Sequence, residues 1–205
     1  MICCDIGNTT ADIYEKDVCR KVLLSEFKPE VFIGEVWYVN VNQSIQDQLE
    51  TLPNWYNIEL LVEREKYYST MGLDRIMVCE AIDDGVIVDA GSAITVDVMQ
   101  GGVYQGGFIA LGLRAAQEAY AKLSPALDMS FNFEVDLAKM AKNTPDALSI
   151  GFLAPLIEKI EGLGKPIYVS GGDARLLSRF FREAKVDENL IFTGMKKLID
   201  KGAKC

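Results

Sequence analysis

Apolar residues in this chain come in short blocks of two textures. Residues 1–6 form an apolar run that ends in Asp5-Ile6-Gly7-Asn8-Thr9-Thr10, and polar and apolar positions then alternate through Ala11-Asp12-Ile13-Tyr14. A run, a polar turn and an alternation predict strand, tight turn, strand. Residues 19–24 are a candidate third strand, 36–41 another, 43–51 a short helix and 57–62 a further strand. Over residues 72–82 the apolar side chains Leu73, Ile76, Met77, Cys79 and Ile82 recur at helical spacing, which predicts an amphipathic helix.

The same texture returns after the turn signal Asp83-Asp84-Gly85. Residues 86–88 are an apolar strand ending in Asp89-Ala90-Gly91-Ser92-Ala93; 94–99 alternate, and Gly101-Gly102 turns the chain into 103–109. A pattern that occurs twice points to a duplicated α/β fold, with one domain over 1–83 and a second over 84–205. Beyond Gly112 the texture is mostly helical. Helices are expected over 113–123 and 133–142, and a long one starts with Thr144 as N-cap and Pro145 at the first helical position. It ends near Gly162. A buried strand follows over 166–170, and Gly171-Gly172-Asp173 opens a helix running through Ala184.

Composition narrows the chemistry. The chain has 205 residues, no histidine and a net charge of −9. Without histidine, Ser-His-Asp and Cys-His catalysis and His-ligated zinc are excluded, so a general base must be a carboxylate, Lys, Tyr or Cys. An acidic chain with no basic face argues against nucleic acid as a partner. The lysines Lys196, Lys197, Lys201 and Lys204 near the end read as a solvated helix face. No apolar run approaches a membrane span, and the N-terminus does not resemble a signal peptide. Five cysteines without a CxxC pair read as reduced thiols of a cytoplasmic protein.

The two Asp-x-Gly turns suit phosphate groups. An acidic protein that binds a polyanion such as ATP must do so locally, through glycine-turn N–H groups, hydroxyls and a divalent cation. Gly7 lets backbone approach a phosphate, Asn8, Thr9 and Thr10 offer donors, and Asp5 at a strand end can hold Mg²⁺ directly or through water. Asp89 to Thr95 repeats the arrangement. The chain has no GxxxxGK[ST], so it is not a P-loop protein. Gly72-Leu73-Asp74-Arg75 opens a helix. There Asp74 is either a helix-terminus carboxylate or the base that takes a hydroxyl proton, and Arg75 can grip a carboxylate. The double glycine Gly171-Gly172 can let a flat adenine ring lie against backbone.

Taken in order, Asp5-Ile-Gly-Asn-Thr, Gly72-Leu-Asp-Arg, Asp89-Ala-Gly-Ser-Ala-Ile-Thr-Val-Asp97, Gly106-Gly-Phe-Ile-Ala-Leu-Gly112, Asn143-Thr144 and Gly171-Gly172-Asp173-Ala174 resemble type III pantothenate kinase. The resemblance implies two actin-like, ribonuclease-H-like domains, each a mixed sheet flanked by helices. It implies ATP-dependent phosphorylation of the 4′-hydroxyl of pantothenate, the first step toward coenzyme A. By the same resemblance Asp5, Ile6, Gly7, Asn8, Thr9, Thr10, Ala11 and Asp12 bind ATP, with Ser92 a further ATP contact where the family commonly has Thr. Tyr68, Gly72, Leu73, Asp74, Arg75 and Thr144 bind pantothenate, with Asp74 the proton acceptor. Asp89 is the ligand of a monovalent cation, K⁺ or NH4⁺, and Asp5 a candidate for Mg²⁺. Thr144 reaches the neighbouring subunit's substrate, so a homodimer is implied with the site at its interface. The chain departs from the family at Leu111, where proline is usual, and in the shorter segment Glu65-Lys66-Tyr67-Tyr68-Ser69-Thr70, in which Tyr68, or else Tyr67, fills the tyrosine position. Two other readings are a different actin-like small-molecule kinase and a non-catalytic regulator on the same fold.

Overall fold

The computed structural model describes residues 1–203; Lys204 and Cys205 lie outside it. Among the described residues, ten strands fall into two five-stranded sheets. The first comprises β1 (Ile2–Ile6), β2 (Thr10–Glu15), β3 (Val18–Leu23), β4 (Val36–Asn40) and β5 (Trp55–Asn57), in the order β3-β2-β1-β4-β5. The second comprises β6 (Gly85–Ala90), β7 (Ala93–Gln100), β8 (Val103–Leu111), β9 (Ile167–Ser170) and β10 (Lys185–Val186), in the order β10-β9-β6-β7-β8. Read from the first strand of each sheet, the two orders are the same. An antiparallel hairpin lies on one side, β1 with β2 or β6 with β7, and a parallel crossover strand on the other, β4 or β9. This duplicated mixed sheet is the actin-like arrangement.

Among the described residues, the sheets are accompanied by the α-helices α1 (Gln43–Glu50), α2 (Leu73–Ala81), α3 (Leu113–Leu123), α4 (Thr144–Glu161), α5 (Ala174–Leu177) and α6 (Leu190–Gly202). One compact unit takes Met1–Asp83, Gly102–Tyr104 where β8 begins, and the described residues from Asn189; the other takes Asp84–Gly101 and Gln105–Glu188. The second unit begins at Asp84, and α6 belongs to the first.

Alternation explains the first unit. Cys4, Ile6, Ala11 and Ile13 point to one face and join Tyr38, Ile45, Leu49 and Trp55 in a buried core. Asp5, Asp12 and Tyr14 point to the other. On that side Tyr14 stacks on Phe192 of α6, with ring centroids 4.9 Å apart. Helices α2 and α6 pack so closely that a β-carbon on Gly194 would collide with the Met77 carbonyl. The cysteines Cys3, Cys4 and Cys79 are buried and lie outside any disulfide. Burial pushes the Cys3 thiol up to about 11, so it packs as a small apolar group. In the second unit Val86, Val88, Ile94, Val96 and Val169 meet α4 residues Leu153, Ile157 and Ile160.

Several expected elements differ, and polar side chains supply the reason. The strand expected over 57–62 is β5 followed by a 3-10 turn at Ile58–Leu61, because the Asn57 side chain accepts from the Glu59 N–H at 2.9 Å. Residues 133–142 form turns, not a helix. There Asn132 and Asp136 accept from the N–H groups of Glu134 and Ala138, which competes with helical pairing. Phe131, just before them, is buried flat on Phe152. The helix expected through Ala184 stops at Leu177; a 3-10 turn at Ser178–Phe180 and bends over 181–183 replace its remainder, ahead of β10. The N-cap of α4 is Asn143, which accepts from Asp146 N–H at 2.9 Å, so Thr144 is the first helical residue and Pro145 the second. The lysines of α6 are not merely solvated: Lys196 reaches Asp17 at 3.3 Å, Lys197 Asp83 at 3.2 Å and Lys201 Glu80 at 3.4 Å. No helix among the described residues is long and apolar enough to cross a membrane.

Candidate active site

The first Asp-x-Gly turn joins β1 to β2. Gly7 N–H donates to the Thr10 carbonyl at 2.9 Å and closes it. The Thr9 carbonyl accepts from Leu24 N–H at 2.9 Å, and the Asn8 carbonyl accepts from the Asn42 side chain at 3.4 Å. Both tip carbonyls are thus drawn back into the protein, while Asn8 and Thr9 themselves are exposed. Ile6 and Ala11 are fully buried and anchor the turn at its base. Asp5 stands directly opposite Asp12 in the antiparallel register. Residues so paired share a face, and like charges there repel. One Asp12 oxygen lies 3.3 Å from Lys21 Nζ; the other is buried with no hydrogen-bond partner. Burial raises the Asp12 pKa, and Lys21 opposes the rise.

The second turn joins β6 to β7 and is one residue shorter, with Gly91 N–H donating to the Ala93 carbonyl at 3.0 Å. Thr95 stands opposite Asp89, the counterpart of Asp12 opposite Asp5, and its hydroxyl is also buried without a partner. Ser170 is beside Asp89 on the parallel side and is itself buried. Two glycine segments distant in sequence close around the turn. A β-carbon on Gly171, whose φ is +88°, would strike the Ala90 carbonyl and the Asp89 carboxylate; one on Gly112 would strike the carbonyls of Gly91 and Ser92. Asp173 N–H donates to the Ala90 carbonyl at 2.9 Å. The motifs at Asp89, Gly106–Gly112 and Gly171 are therefore parts of one structure. Ser92 at the tip is exposed.

Gly72 N-caps α2, and Asp74 and Arg75 fall in its first turn. Asp74 Oδ1 accepts from Arg75 N–H at 2.8 Å and occupies the space that a β-carbon on Gly72 would need. Leu73 is buried and fixes the helix start. Arg75 is only 5% exposed, donates to the Tyr68 hydroxyl and lies 5.7 Å from the centre of that ring. Tyr68 is 43% exposed and Tyr67 8%, with the Tyr67 hydroxyl committed to Glu80 at 2.9 Å. The structure thus separates the two tyrosines: Tyr68 faces outward beside Arg75, and Tyr67 is internal. Thr144 is exposed at the start of α4.

The sequence model of the type III pantothenate kinase family matches residues 9–165. A relative named type III pantothenate kinase, from Sulfurimonas denitrificans, is 46% identical over 205 residues and covers the whole of both chains.

The chain belongs to the type III pantothenate kinase family.

A solved structure from Campylobacter jejuni, named for the Baf family of transcriptional activators, is 35% identical, covers both chains fully and superposes with a TM-score of 0.90. Component A of (R)-2-hydroxyglutaryl-CoA dehydratase from Acidaminococcus fermentans is 14% identical, with a TM-score of 0.53 over 99% of this chain and 98% of that one, and shares the fold alone. Against this family background, two residues gain interest that the sequence reading gave no role of their own, Thr95 and Ser170. Both needed the strand registers: Thr95 lies opposite Asp89 across β6 and β7, and Ser170 beside it across β6 and β9.

Proposed function

We propose that this chain transfers the γ-phosphoryl group of ATP to the 4′-hydroxyl of pantothenate, opening the route to coenzyme A in the cytoplasm. The observation that carries this reading is Gly72-Leu73-Asp74-Arg75 at the start of α2, with the Asp74 carboxylate held at the helix terminus, in a member of this family. Phosphoryl transfer needs positioning and charge neutralisation more than covalent help. The turn from Asp5 to Asp12 binds the phosphates of ATP, and Ser92 adds a hydroxyl contact. The pantothenate hydroxyl oxygen attacks the γ-phosphorus as the bond to ADP breaks, and Asp74 accepts the hydroxyl proton. Arg75 and Tyr68 grip pantothenate, with Gly72 and Leu73 setting the helix start.

The residues present fit the expected ions. Asp5 and the unpartnered Asp12 oxygen are oxygen donors for Mg²⁺, which characteristically takes one or two carboxylates plus phosphate and water. Asp89 with the Thr95 hydroxyl offers oxygens to K⁺ or NH4⁺. Bound there, these cations offset phosphate charge. Thr144 completes the pantothenate site of the neighbouring subunit in a homodimer.

An ADP-release assay with pantothenate, run with and without K⁺ or NH4⁺, tests this reading; absence of turnover under both cations defeats it. A second reading comes from the Campylobacter jejuni relative of known structure, which is named as a transcriptional activator. The net charge of −9 and the retention of Asp5, Asp74 and Asp89 favour catalysis.

A further inference from the structure

The segment before Gly72 has no regular structure beyond a 3-10 turn at Arg64–Lys66, yet it is clamped along its length. Arg64 Nη1 donates to the Met71 carbonyl at 2.9 Å, Tyr67 N–H to the Arg64 carbonyl at 3.1 Å, and Met71 N–H to the Tyr68 carbonyl at 3.0 Å. The innermost clamp is Tyr67, whose hydroxyl donates to Glu80 at 2.9 Å. The Glu80 side chain is 9% exposed and its second oxygen faces Lys201 Nζ of α6 at 3.4 Å. Burial, then the Glu80 charge, pushes the Tyr67 pKa well up, so this hydroxyl stays a donor. The Tyr104 ring lies against both tyrosines, 5.6 Å from Tyr67 and 6.2 Å from Tyr68. Glu80 thus joins two separate parts of the chain, holding the phenol of the segment before Gly72 and the ammonium of α6 at once.

We propose that Glu80, braced by Lys201, is a positioning residue for the substrate pocket: it fixes Tyr67, and Tyr67 in turn sets Tyr68 against Arg75. The inference rests on the proposed role of Tyr68 and Arg75 in holding pantothenate. It assigns α6, which offers no group to the reaction, a part in substrate affinity.

The test is a kinetic comparison of wild-type enzyme with Tyr67→Phe, Glu80→Ala and Glu80→Gln, together with Tm. Tyr67→Phe keeps the ring and removes the donor; Glu80→Gln keeps an acceptor for it. Tyr67→Phe and Glu80→Ala should raise the KM for pantothenate roughly tenfold, a size typical of a modest misplacement of binding groups. The KM for ATP and kcat at saturating pantothenate should hold, and Glu80→Gln should restore most of the affinity. If Glu80→Ala does not fold, Tyr67→Phe decides. An unchanged pantothenate KM beside a lowered Tm would overturn the inference, as would an equal rise in both KM values. A wild-type enzyme inactive on pantothenate overturns the functional reading and this inference together. An active wild type with unaltered variants overturns this inference alone.

Discussion

The Oδ1 atom of Asp74 fills the space in which a β-carbon on Gly72 would sit. Gly72 has an ordinary extended backbone, φ −60° and ψ 144°, so its need for glycine is one of room for the carboxylate. Gly72→Ala should therefore fold with little loss of Tm, since the colliding atom ends a movable side chain. Displacing the Asp74 carboxylate should lower kcat/KM by about 10²-fold. Steady-state kinetics and thermal melting on the same preparation check both halves.

Gly194 makes the opposite prediction. Its close neighbour is backbone, the Met77 carbonyl at the α2–α6 contact, and backbone cannot move aside cheaply. Gly194→Ala should destabilise by about 1–3 kcal/mol, the usual range for overpacking. Urea unfolding monitored by circular dichroism measures it.

Asp12 links stability to pH. Its folded pKa lies above the unfolded value because burial disfavours the charged form. A raised carboxyl pKa contributes stability below the unfolded pKa, and that contribution is lost as pH rises through the folded one. At neutral pH the ionised, part-orphaned carboxylate thus costs stability. Asp12→Asn should raise Tm at pH 7 in magnesium-free buffer, and the gain should shrink as pH falls into the carboxylate range. Melting curves across pH check the sign. The same variant should need more Mg²⁺ for half-maximal turnover.

Gly171 has both a left-handed φ and the Asp89 carboxylate against it. Gly171→Ala should lose about 1–2 kcal/mol from the backbone alone. It should also raise the K⁺ or NH4⁺ concentration needed for activity. A cation titration of initial rates reads the second effect.

Much of this was visible in the sequence because the signals were local. Strand, turn and alternation at Asp5 and Asp89 report side-chain direction, which a period of two determines. The first half-turn of α2 was legible from Gly72-Leu73-Asp74-Arg75. What escaped detection depended on partners distant in the chain. Nothing local separates Tyr67 from Tyr68 until Glu80 claims one and Arg75 the other. The convergence of Gly112 and Gly171 on the Asp89 turn needs the β6–β9 register and the end of β8. The return of α6 to the first unit follows from its packing on α2, a contact that no spacing encodes. The helix expected over 133–142 failed for a local reason: Asn132 and Asp136 side chains took the N–H groups that a helix would have paired.

The proposed homodimer has its own check. A monomeric mass at assay concentration with full activity would contradict a Thr144 contact across subunits, and a dimer whose Thr144→Ala variant loses pantothenate affinity would agree with it.

The central claim is that Asp74 takes the proton of a pantothenate hydroxyl. The most direct measurement is phosphopantothenate formation by wild-type and Asp74→Asn enzyme, followed by mass spectrometry with ATP, Mg²⁺ and K⁺ present. The account predicts a product one phosphoryl group heavier than pantothenate from the wild type, and almost none from an Asp74→Asn protein with an unchanged circular dichroism spectrum. Near-normal product from Asp74→Asn would contradict it.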